Sequence, residues 1–237
     1  MNWIIRKLYN GGMKKLTLLL IFFSFSHNAM ADLDTARKAI AAGDGKKAVV
    51  ELTRLAGEGS GDAQYELGKL YAEGILIQPE PSRALLALSL AVENGNKMAA
   101  SLIEAQKKRI NLLQLASLQE ELGGLFQKGG PVHANPERAA EWLGERALNP
   151  IRFAEEERGE LARKVGKLYE TKIMRFTAAH SWYSLAEAFG SERARKDRQR
   201  MALFLQEQSL SQSKNESIKQ YKRYLKQRNK MMAGITQ

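Results

Sequence analysis

Apolar side chains recur at three- and four-residue steps along much of this chain, most regularly between residues 62 and 99. There Ala63, Leu67, Leu70, Tyr71 and Gly74 gather on one side of a 3.6-residue helix. Ala84, Leu85, Leu88, Ala91 and Val92 make the stripe of a second helix. Gly74 is the expected stop of the first, because glycine takes the left-handed terminal conformation at little cost. Pro79 and Pro81 lack backbone donors, so Ile75 to Pro81 reads as a loop, with Ser82 capping the second helix and Asn94-Gly95 ending it. Ala63, Gly68, Ala84 and Ala91 are small enough to let the two backbones approach, and Leu67, Tyr71 and Leu88 fill the space that remains. A lone helix pair of this kind leaves apolar faces open, so it needs copies of itself alongside.

Copies are present. ELGKLYAEG at 66–74 returns as ELGGLFQKG at 121–129, an offset of 55 that also sets Ala139 on Ala84, Trp142 on Ala87 and Leu143 on Leu88. VGKLY at 165–169 repeats LGKLY at 67–71 with offset 98, and 179–194 repeats 84–99 with offset 95, so the third loop is three residues shorter. Asp34 to Gly59 reads as one more helix pair, turning at Gly43-Asp44-Gly45. Asn96 to Gln114 reads as a further helix continuing the first repeat, Asn135-Pro136-Glu137 as a capped helix start, and Ala154 to Tyr169 as the next helix. No strand-like alternation competes with this all-α reading.

The pattern resembles the Sel-one-like repeat (SLR) family, a cousin of the tetratricopeptide repeat (TPR). Ala63, Leu67, Gly68, Tyr71, Gly74, Ile77, Glu80, Arg83, Ala84, Ala91, Gly95 and Ala99 stand on its motif in the first copy. The middle copy keeps Leu122, Gly123, Phe126, Gly129 and Trp142. The last keeps Gly166, Tyr169, Gly190 and the Trp182-Tyr183 pair, but has Lys172 where the first has Gly74. The resemblance implies a right-handed α-solenoid of antiparallel helix pairs. It divides the chain into a TPR-like pair (32–61), repeat 1 (62–100), a linking helix and degenerate repeat 2 (101–150), repeat 3 with a capping helix (151–205) and a basic polar tail (206–237).

Residues 1–31 have the parts of an export signal: Lys14 and Lys15, an apolar run from Leu16 to Phe25, and the cleavage site Ala29-Met30-Ala31, so processing is expected after Ala31. Met13-Lys14-Lys15 would open a compact signal of its own. That leader predicts a periplasmic or secreted protein. The net charge of +11 is unevenly spread. Residues 32–191 carry 21 basic and 22 acidic side chains, whereas 192–237 carry 12 and 4, a net +8. The tail reads first as a solvated, partly disordered face, with Leu203, Leu205 and Leu210 packing its start. An anionic membrane or cell-wall contact comes second, and nucleic acid is set aside because export removes the chain from it.

Candidate chemistry is sparse. There is no cysteine, and neither His133 nor His180 has a second ligand at metal spacing, so both read as surface or half-buried histidines. No nucleophile sits in a glycine elbow and no phosphate loop is present. No cofactor or metal is expected. Some disulfide-rich relatives are linked to β-lactam binding, and the absence of cysteine argues against that here. The repeat-motif aromatics read as core. The motif gaps Gln64, Tyr65, Glu66, Lys69 and Glu73 are the better place for a binding face, and Tyr65, Lys69 and Glu73 are the candidates for partner contact. The resemblance implies a non-enzymatic interaction scaffold or adaptor. Alternatives are a periplasmic regulator of a membrane sensor or secretion component, and an envelope- or peptidoglycan-associated protein using its tail.

Overall fold

The computed structural model describes residues 33–151 and 155–235, and among these every regular element is helical. The leader and its cleavage site lie outside the described residues. The helices fall into two compact units, one reaching Ile103 and the other starting at Glu104.

The first unit holds α1 (residues 33–41), α2 (Gly45–Gly57), α3 (Gly61–Glu73), α4 (Pro81–Glu93) and the start of α5 (Ala100–Lys107). Asp44 caps α2 by accepting the Lys47 N–H at 3.0 Å, and Ser60 caps α3 by accepting that of Ala63. Leu33, Ala36, Ala48, Leu52, Leu55, Leu67, Leu70 and Tyr71 close one core. Gly74 ends α3 in the left-handed conformation, φ 68°, as its place in the sequence requires. Two local expectations are corrected. The cap of α4 is Glu80, because Pro81 has no N–H to lose and takes the first helical position. Ser82 lies inside the helix with its hydroxyl buried and unbonded. Nor does one helix run from Asn96 to Gln114. Asn96 accepts the N–H groups of Met98 and Ala99 and starts the short α5, after which Asn111 begins a new helix with a capping box to Gln114.

The second unit holds α6 (Leu112–Lys128), α7 (Pro136–Leu148), α8 (Glu155–Leu168), one π-helical turn (Tyr169–Ile173), α9 (Phe176–Ala188), α10 (Glu192–Ala202) and α11 (Glu207–Ile235). Asn135 caps α7 ahead of Pro136, as expected. Lacking the loop glycine, the last copy ends differently. Its helix widens into the π turn and Met174 takes the left-handed cap at φ 60°. The tail is not a loose face: α11 packs along α9. It does so through Ser213, Ser217 and Tyr224, small or polar-tipped residues whose burial composition does not announce. Leu203, expected to pack, is 84% exposed.

The three sequence copies are three copies in space. In each, one backbone bond closes the hairpin loop: Glu80 N–H to the Tyr71 carbonyl at 3.0 Å, Asn135 to Phe126 at 2.8 Å and Arg175 to Tyr169 at 2.9 Å. These donors and acceptors are related by the sequence offsets. In each, a glycine meets the second helix so closely that a Cβ would strike a side chain: Gly68 against Leu88 (2.7 Å), Gly123 against Leu143 (2.6 Å), Gly166 against the Tyr183 ring (2.8 Å). Within the first copy Gln64 meets Asn94 at one end while Tyr71 meets Arg83 at the other, so the helices are antiparallel. The middle copy repeats this, with Gln119 on Asn149 and Arg138 over Phe126. Trp182 turns the other way, onto Gly144 of α7, which ties the last hairpin to its neighbour.

Candidate interaction site

The contact face expected from the sequence lies on α3, where its residues differ in burial. Gln64 is fully buried, donating to the Ala56 carbonyl at 2.9 Å and accepting from Asn94, so it belongs to the core and not to a face. Tyr65, Lys69 and Glu73 follow one another at four-residue steps. Tyr65 is half-buried against Leu88, Ala91 and Ala99, Lys69 lies 5.6 Å above its ring and 3.7 Å from Glu66, and Glu73 is exposed. The motif aromatics Tyr71, Phe126, Trp182 and Tyr183 are buried, as expected of core residues. Trp142 and Tyr169 are half-buried.

The second unit offers a different surface, which the sequence did not single out. The connection after α10 leaves Leu203 and Phe204 outward, and the Phe204 ring stands 6.4 Å from that of Phe176 at the start of α9. Leu203 is 84% and Phe204 67% exposed, and Met174 is exposed as well. Beside Phe176 opens a cavity of about 490 Å³ between α9 and α11, bounded by Arg175, Thr177, Ser181, Gln212 and Glu216. No side chain caps the N-terminus of α9 there. Ordinary soluble surfaces bear scattered apolar residues, whereas a contiguous group marks contact.

Charged groups along α9, α10 and the π turn are held in place. Arg200 bonds Glu170, which also accepts the Tyr183 hydroxyl at 2.5 Å. The Arg200 hydrogen bond and, after burial's opposing effect, that of Tyr183 hold the Glu170 carboxyl below the usual range. Burial and the same carboxylate push the Tyr183 phenol up. Burial works against an ionised Glu187, but Arg198 and Arg195, at 2.7 and 2.9 Å, outweigh it and lower its pKa.

His180 proves to be buried, which corrects its reading as a surface or half-buried histidine. Its Nδ1 lies 2.6 Å from the Ser213 hydroxyl, and burial, with Arg198 nearby, lowers its pKa. Ser213 is buried, so this histidine–serine pair fastens α11 to α9. His133 is exposed. Among the described residues no three His, Cys, Asp or Glu side chains converge as a metal site.

These features define an all-α protein of repeated helix hairpins. No protein-family model matches the chain, and no curated protein does. Among solved structures it is similar to c5321, described as a protective antigen present in uropathogenic Escherichia coli strains displaying an SLR fold. Identity is 18%, the match covers 79% of this chain and 43% of that one, and the TM-score is 0.39. The chain thus spans less than half the length of that protein. The hairpin architecture stands on the packing of this chain's own helices.

Proposed function

We propose that the chain is an exported, non-enzymatic scaffold that holds a segment of another protein against its helix hairpins. The observation that carries this reading is the outward apolar group of Phe176, Leu203 and Phe204 beside an open cavity. Covering such side chains with apolar groups of a partner removes them from water, a gain proportional to the area buried. The row Tyr65, Lys69 and Glu73 on α3 is a second contact. Its half-buried ring has little rotamer freedom left to lose. A regulator of a membrane sensor or secretion component would use the same surfaces.

A photo-crosslinking residue at Phe204 in the full chain, expressed in cells, is expected to capture a discrete partner. That adduct should vanish with Leu203→Ser and persist in a variant altered only at Glu58, which lies in the other unit. Absence of an adduct, or hydrolytic turnover by the purified chain, would overturn the scaffold reading. Mass spectrometry of the mature protein is expected to find Asp32 first. Recovery from the cytosol with residues 1–31 retained would overturn the exported part alone.

A further inference from the structure

The surplus positive charge of residues 192–237 is divided by the structure into two kinds. On α10 the arginines are neutralised in place. Arg195 and Arg198 share Glu187, Arg200 bonds Glu170 and Asp197, and Arg193 lies 3.9 Å from Glu160. On α11 only Arg223 is so held, in a two-bond pair with Glu145 at 2.9 and 2.7 Å. Lys219, Lys222, Lys226 and Lys230 are all exposed and make no ion pair among the described residues.

Their spacing matters as much as their number. Steps of three, four and four residues put the four ammonium groups on one side of α11, in a row of roughly 16 Å at 1.5 Å per residue. The opposite side carries Ser213, Ser217 and Tyr224 into contact with the body of the unit. The helix has two acids, Glu207 and Glu216, and Glu216 borders the cavity against α9 and, with Lys219, a second one against α7. Its two tyrosines are turned inward, Tyr224 stacking edge-on against Phe189 at 5.1 Å and Tyr221 lying 5.7 Å from the same ring. The lysine side therefore has no aromatic face on which bases could stack, as single-stranded nucleic acid would need. Ile218 and Met232, both exposed, flank the row. Among the described residues no helix is long and apolar enough to cross a membrane.

We propose that this lysine side of α11 lies on an acidic phospholipid surface, its ammonium groups against lipid phosphates and Ile218 and Met232 at the headgroup boundary. The row runs along one side of α11, with Lys222 and Lys226 at its middle and Lys219 and Lys230 at the rims of the cavities against α6 and α7. Lysine, a compact and flexible point charge, suits a diffuse array of phosphates better than it suits a fixed bidentate site. The surface is separate from the Phe176–Phe204 group, so scaffold and membrane contacts can fail independently.

The test is sedimentation of the full mature chain with phosphatidylcholine vesicles, with and without phosphatidylglycerol. Binding is expected only with the acidic lipid, and it should vanish near 1 M salt, where the screening length is about 3 Å. Each lysine near such a surface is worth roughly fivefold, so K219Q/K222Q/K226Q/K230Q should weaken binding by several hundredfold. Two double variants of equal net charge separate position from total charge. K222Q/K226Q should lose roughly 25-fold, and R193Q/R195Q no more than about twofold. Circular dichroism establishes that each variant keeps its helices. Equal losses in the two doubles, binding to phosphatidylcholine alone, insensitivity to salt, or displacement from vesicles by duplex DNA would each overturn the proposal.

Discussion

The first hairpin, α3 with α4, and the last, α8 with α9, share a loop-closing backbone bond and a glycine seam, yet differ in almost everything polar. At the end away from the loop, the first pair is tied by Gln64 and Asn94. The last has Ala162 and Phe189 at the corresponding places, both buried. The first caps α3 with Gly74, and the last runs two residues further and caps with Met174. Where the first has Ser60, the last has Arg158, whose guanidinium bonds the carbonyls of Ala147, Asn149 and Ile151 at the end of α7. That guanidinium lies 4.4 Å from the Tyr224 ring centroid, so it joins α7, α8 and α11 at one point. The close backbone approach is thus what the repeat retains. The ties around it are exchangeable, and the last copy has exchanged its own for contacts that hold α11.

The largest way to break this comparison is Arg158→Ala. The side chain is 2% exposed and satisfies three carbonyls, so its loss is expected to destabilise the second unit by about 3–5 kcal/mol and to release α11. Ser60→Ala, its counterpart, should cost only about 1 kcal/mol as an ordinary cap. Denaturant melts, with fluorescence placed in each unit, measure both. Next comes Asn94→Ala, which takes from the buried Gln64 carboxamide its partner at 2.9 Å, at a cost of about 1–3 kcal/mol. Exchanging the caps should move stability in opposite directions. Met174→Gly relieves a left-handed conformation that costs roughly 1–2 kcal/mol for a residue with a Cβ, and Gly74→Ala introduces that cost. In the latter the new Cβ would also lie 2.8 Å from Pro79.

The smallest effect is on pH. Burial, with Arg198 adding to it, holds His180 neutral, below the ordinary value of 6.5. The unfolded chain therefore binds this proton first. Stability attributable to His180 is full above 6.5 and falls as acidification carries the pH down through the folded value. Ser213 on α11 faces the ring, so the loss should appear as loosening of that helix. Thermal melts between about pH 7 and pH 5 should show a fall that His180→Gln flattens.

Much of the architecture was legible in the sequence because its determinants are local. Gly74, Asn135-Pro136 and Asn94-Gly95 act within a few residues of where they stand, and the 55-, 98- and 95-residue offsets mark the hairpins that the backbone bonds confirm. What was not legible depends on distant partners. Gln64 reads as a surface residue until Asn94, 30 residues on, is seen to receive it. Ser213 and Ser217 read as solvated tail because a serine on a close-packed helix face has the composition of one in water. The apolar group at Phe176 and Phe204 was missed because its members lie 28 residues apart, one opening α9 and the other in the turn after α10, and only folding brings them together.

A double-mutant cycle across the glycine seam tests most directly whether the three hairpins are one unit. Gly68→Ala alone should destabilise by about 1–3 kcal/mol, because its Cβ would lie 2.7 Å from Leu88. In a Leu88→Ala background the same change should become neutral or stabilising, since alanine favours a helix over glycine by about 1 kcal/mol. The same reversal is expected for Gly123 with Leu143 and Gly166 with Tyr183. Additive effects at any one of the three seams would contradict their equivalence.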